Sequence, residues 1–186
     1  MKFLEGMVEM KRFTIIFFFL SLLLIWDVSI ATAQFLEAGV QKLETPMTAP
    51  DFALKDLTGR LITLKDLRGK IVVLNFFSVW CSVCEKQASS FDKLDEEIKS
   101  KDIVFLHLAV EGREKELLDY KNKFNISIPI LIDKKGLAAK AYKVRSHHET
   151  FFINREGKIV GKTFAEKDWV STDMRNLINY LLAQKK

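Results

Sequence analysis

Trp80-Cys81-Ser82-Val83-Cys84 holds both cysteines of this 186-residue chain. The C-x-x-C spacing falls where an apolar run gives way to an amphipathic one, so the pair is expected at the start of a helix. A thiol there meets unpaired backbone N–H groups and the positive end of the helix dipole. Both favour the thiolate, the reactive form of cysteine. Three residues on, Cys84 shares the same helical face and lies close enough to close a disulfide. The chemistry these residues offer is therefore reversible thiol-disulfide exchange. A permanent staple would gain little here, because the loop it closes is very short.

Two elements must position the pair. Ile71-Val72-Val73-Leu74-Asn75-Phe76-Phe77 is continuous, apolar and β-branched, which suits a strand buried on both faces. From about Cys81 to Lys99, Cys84, Ala88, Phe91, Leu94 and Ile98 recur at three- and four-residue steps and form one apolar helical face. Further on, Ile103–Val110 and Ile128–Ile132 read as strands. Arg113–Phe124 reads as a helix with Leu117, Leu118 and Phe124 inward, and Gly136–Tyr142 as a short helix. Short apolar runs on either side of Asp56–Gly59 and of Asn154–Gly157 read as hairpins. Trp169–Leu182 closes the chain as a helix. Strands alternating with helices, with a hairpin at each end, predict one α/β domain with a mixed sheet.

The N-terminus is different in kind. Phe13–Trp26 is almost wholly apolar, Lys11 and Arg12 precede it, and Ala31-Thr32-Ala33 follows. These are the marks of a secretory signal peptide. The run is shorter than the roughly 20 apolar residues of a membrane span, and an uncleaved anchor is the alternative. Glu5 and Glu9 sit oddly in a signal n-region; a start at Met10, rather than Met1 or Met7, gives a cleaner one. The expected division is residues 1–33 signal or anchor, 34–47 linker and 48–186 folded domain. Export places the cysteines in a compartment where disulfides persist. The net charge of +5 is spread along the chain, and no basic block is interleaved with aromatics, which argues against nucleic-acid binding.

Several stretches together resemble the exported thioredoxin-like TlpA/ResA group. They are Ala49-Pro50-Asp51-Phe52, Leu67-Arg68-Gly69-Lys70, Leu74-Asn75-Phe76-Phe77 leading into the C-x-x-C, and Phe152-Ile153-Asn154-Arg155-Glu156-Gly157-Lys158-Ile159. The resemblance spans roughly residues 48–182. It implies a thioredoxin-like fold with an N-terminal β-hairpin extension. It also implies an extracytoplasmic, monomeric dithiol-disulfide oxidoreductase without cofactor, reductive and linked to cytochrome c maturation. Cys81 would be the nucleophile and Cys84 the resolving thiol. Protein thiols and disulfides would be the substrates, and a membrane protein the electron donor. Trp80, Gln87 and His148 would shape the site.

Three positions depart from that family. Val83 stands where a Pro is usual before the second cysteine, and Gln87 where a Glu often tunes thiol acidity. His148, with His147 beside it, falls on the near-universal cis-Pro. Without Pro, a cis bond costs several kcal/mol, so the bond before His148 is expected trans. Gln87 is expected either to face the thiols or to lie on the helix surface. His148 has three readings: a solvent-exposed loop residue, a neighbour whose positive charge favours the Cys81 thiolate, or a metal ligand. The last would give a Sco-like chaperone holding Cu(I) or Zn through Cys81, Cys84 and His148. His107 is expected as a satisfied sheet residue, and Asp92, Asp95, Glu96 and Glu97 as solvated helix surface. Peroxiredoxin chemistry is disfavoured because no Pro-x-x-x-Thr-x-x-Cys pattern ends at Cys81.

Overall fold

The computed structural model describes residues 31–184. The apolar run at Phe13–Trp26 and the possible starts lie outside them. None of the described helices is long and apolar enough to cross a membrane.

Residues 31–37 are helical (α1). Eight strands follow: β1 Gln41–Thr48, β2 Ala53–Lys55, β3 Leu61–Thr63, β4 Ile71–Phe77, β5 Ile103–Ala109, β6 Ile130–Ile132, β7 Thr150–Ile153 and β8 Lys158–Thr163. Helix α2 Ser82–Ile98 links β4 to β5, α3 Glu114–Lys123 links β5 to β6, α4 Leu137–Ala141 precedes β7, and α5 Thr172–Ala183 ends the chain. The main sheet has the order β1-β8-β7-β4-β5-β6. β4, β5 and β6 run parallel, as their helical crossovers require. β7, β8 and β1 pair antiparallel. This is the thioredoxin-like α/β fold with a mixed sheet. The hairpin β2–β3 forms its own two-stranded sheet.

Alternation along the central strands splits the core in two. Ile71, Val73 and Phe77 of β4, with Phe105 and Ala109 of β5, face α2 and α5. Val72, Leu74 and Phe76, with Leu106 and Leu108, face the hairpin and α4. One polar row crosses the α2 side. Register pairs Asn75 with His107 on one flank and with Thr150 on the other.

The stretch expected as a linker, 34–47, belongs to the fold instead. Phe35 and Val40 are buried against the core, and β1 completes the sheet edge on β8. β1 has no apolar alternation and is mostly exposed, so its pairing rests on backbone hydrogen bonds that its composition does not signal. The close approach runs through Gly161 of β8, where a Cβ would sit 2.5 Å from a Phe35 ring carbon. Gly161→Ala should therefore cost about 1–3 kcal/mol by forcing α1 off the sheet. A lowered denaturation midpoint would show it; an unchanged midpoint would mean that α1 contributes no stability. Leu118 also departs from expectation. It is exposed, and Tyr120 takes the inward place on α3 beside Leu117.

Candidate active site

Strand β4 delivers the chain to the sheet's C-terminal edge, and α2 starts there. Cys81 is the N-cap of α2, and its sulfur accepts the Cys84 N–H at 3.1 Å. A sulfur so placed receives an N–H group and the helix dipole at once, which stabilises its thiolate. Cys81 and Cys84 are joined as a disulfide with Cα atoms 5.2 Å apart. The two sulfurs differ in access. Cys81 is half-buried beside Trp80, which is 72% exposed, whereas Cys84 is buried at 6%. Cys84 Sγ lies 2.9 Å from the His147 carbonyl oxygen.

The loop before β7 supplies the opposite wall. The described residues contain no cis peptide bond, so the bond before His148 is trans. His148 Nδ1 stands 4.0 Å from Cys81 Sγ and 3.0 Å from Ser146 Oγ. The ring is half-buried against the sulfurs, which sets aside the reading of a purely solvent-exposed histidine. A second brace, not anticipated from sequence, spans the site. Ser78 Oγ donates to Glu111 Oε1 at 2.6 Å, the Trp80 N–H donates to Ser78 Oγ, and Glu111 Oε1 lies 3.3 Å from His147 Nδ1. Its cause is the tertiary register: Phe77 pairs with Ala109, so the residues after these two parallel strands emerge side by side.

Gln87 neither faces solvent nor confronts the thiols as a free amide. It is buried, and its Oε1 accepts from Trp169 Nε1 at 2.9 Å and from the Lys167 N–H at 3.1 Å. It thus ties the active-site helix to the segment before α5. Asp92 corrects the expectation of a solvated acid. It is 4% exposed, and its Oδ1 accepts the Ser127 and Ile128 N–H groups at 2.8 and 2.9 Å. His107 is in the sheet as expected but only half satisfied. Nδ1 meets Asn75 Oδ1 at 3.1 Å, while Nε2 has no partner among the described residues.

Burial, assisted by the Lys121 charge, lowers the His107 pKa from 6.5 to about 3. The folded chain then holds a neutral imidazole while the unfolded chain binds a proton below pH 6.5, so acid favours unfolding. The stability His107 contributes is present above pH 6.5 and is lost as pH falls towards 3. Unfolding free energy should drop more steeply over that window in the wild type than in His107→Gln. Denaturant titrations at stepped pH would measure this, and parallel curves would refute it.

Known proteins place this geometry. The AhpC/TSA family profile matches residues 47–162. The thioredoxin-like protein YneN of Bacillus subtilis is 36% identical over 125 residues, covering 66% of this chain and 71% of that protein. The thiol-disulfide oxidoreductase ResA of Bacillus thuringiensis is 30% identical over 127 residues, covering 68% and 73%. A crystal structure of a thioredoxin-family thiol:disulfide interchange protein from Chlorobium tepidum superposes with a TM-score of 0.65 at 21% identity, covering 75% of this chain and 99% of that one. The chain belongs to the AhpC/TSA family and, with its C-x-x-C at the head of α2, is a thioredoxin-fold thiol-disulfide oxidoreductase.

Proposed function

We propose that this chain exchanges disulfides with protein thiols outside the cytoplasm, in the reductive direction, within the chemistry of cytochrome c maturation. The observation that carries the reading is the asymmetry of the pair: an N-capping Cys81 open beside Trp80, and a buried Cys84 behind it. Cys81 attacks the substrate disulfide and Cys84 closes on the mixed disulfide. Trp80 and the 147–148 loop offer an apolar platform and a backbone edge for an extended peptide. The apolar N-terminal run with its small-x-small site supports export. Reduction must then be renewed by a membrane electron donor, and the exchange itself uses no cofactor. The chain works as a monomer.

The reduction potential of the Cys81–Cys84 couple, measured against glutathione on the full chain in mild detergent, tests the direction. A value near that of thioredoxin supports a reductase, and one near that of DsbA defeats the reductive assignment. The 4.0 Å approach of His148 to Cys81 is the one observation that favours a copper-chaperone reading. Stoichiometric Cu(I) bound by reduced protein and lost in His148→Ala would replace the redox reading.

A further inference from the structure

The loop before β7 has to be held in place by contacts. The three prolines of the chain are Pro46, Pro50 and Pro129, so none locks the backbone of residues 145–149. Two of the loop's polar contacts are internal: the Arg145 N–H donates to Glu149 Oε2, and Ser146 Oγ lies 3.0 Å from His148 Nδ1. These shape the loop without fixing its distance from Cys81. Its base is anchored where the Glu149 carbonyl accepts the Phe76 N–H. Its tip meets a different element: His147 Nδ1 lies 3.3 Å from Oε1 of Glu111, just beyond β5.

The same carboxylate oxygen reaches the facing wall. Oε1 accepts the Ser78 hydroxyl at 2.6 Å, the short distance of a charge-assisted bond, and Ser78 is fully buried. Ser78 in turn accepts two N–H groups, that of Trp80 on its Oγ and that of Cys81 on its carbonyl, both at 3.2 Å. Gly112 follows Glu111 at φ +114°, and a Cβ there would lie 3.5 Å from Val79 and 3.3 Å from Leu117. The chain after β5 is thus packed against the turn that holds Ser78 and Val79, which brings the carboxylate to Ser78. One oxygen therefore joins the wall that carries Trp80 and Cys81 to the wall that carries His147 and His148.

We propose that Glu111 is a positioning residue that sets the width of the groove between Trp80 and the 147–148 loop. A disulfide within an extended peptide must seat its neighbouring residues against both walls while Cys81 attacks, so its reaction depends on that width. A small disulfide needs only the Cys81 sulfur, and its reaction does not. The side chains of Glu111 and His147 are 45% and 53% exposed, and an ion pair that open adds little stability. What it controls is placement: the carboxylate limits where the loop stands when a peptide enters.

The inference rests on the dithiol exchange proposed above, and a pair of substrates separates the two. Reduced full-length protein in mild detergent is mixed with insulin or with 5,5′-dithiobis(2-nitrobenzoate). The second-order rate of the first exchange is measured for each, by acid quenching and thiol alkylation for insulin and by thionitrobenzoate release for the small disulfide. Glu111→Ala should slow the reaction with insulin about tenfold and leave that with the small disulfide unchanged. Adding His147→Ala should cost nothing further, because the link is already broken. If Glu111→Ala does not fold, Ser78→Ala/Glu111→Leu removes both partners of the buried bond, leaves no hydroxyl unsatisfied and should show the same selective loss. An unchanged rate with insulin, an equal loss on both substrates, or a further loss from His147→Ala would overturn the role of Glu111. A wild-type protein that reacts with neither disulfide would defeat the oxidoreductase reading and this inference with it.

Discussion

Cys81→Ser should abolish insulin-disulfide reduction, by roughly three orders of magnitude or more, while Cys84→Ser should accumulate a covalent complex with its substrate. The two cysteines are not equivalent because α2 treats them differently. Cys81 caps the helix, takes an N–H group onto its sulfur and is reached past an exposed Trp80. Cys84 is one turn inside and buried, with the His147 carbonyl oxygen 2.9 Å from its sulfur. Cys81 therefore attacks, and without Cys84 nothing releases the product. Iodoacetamide should modify Cys81 first in the reduced protein, as peptide mapping would show. Preferential labelling of Cys84, or a Cys84→Ser protein that turns over without a trapped complex, would reverse the assignment.

Asp92→Ala should cost about 2–4 kcal/mol, the largest loss expected from any single polar substitution discussed. The carboxylate accepts two backbone N–H groups at Ser127 and Ile128 and the Ser127 hydroxyl. Alanine leaves those N–H groups buried without an acceptor, and this penalty exceeds the net worth of the bonds. The contact matters to the site because it pins the middle of α2 to the segment leading into β6, and α2 carries the cysteines at its head. Asp92→Asn keeps one acceptor oxygen and should lose about half as much. Denaturant unfolding measures both, with the slope unchanged if only stability has moved. A midpoint for Asp92→Ala within error of the wild type would show that the 127–128 segment finds other partners.

Much of this arrangement was legible before any tertiary contact. β4 announced itself as a seven-residue apolar run, and α2 as a stripe through Cys84, Ala88, Phe91 and Leu94. The stripe also contained the answer for Gln87. Lying three residues after Cys84 and four before Phe91, it occupies an inward position, and its polarity alone suggested otherwise. Asp92 was harder. It sits one residue past the stripe, at the edge of the buried face, and only the docking of residues 127–128 encloses it. β1 was harder still, since an exposed polar strand leaves no periodic trace and is defined by its partner β8.

The sequence by itself determined that two cysteines head an amphipathic helix after a buried strand, because periodicity and spacing are properties of neighbouring residues. Which groups surround the sulfurs was decided by tertiary structure alone. Register across three strands aligns Thr150, Asn75 and His107 under Cys84, and the loop before β7 brings His148 to Cys81 across 67 residues of chain. Such contacts depend on strand order and loop path, which no local pattern encodes.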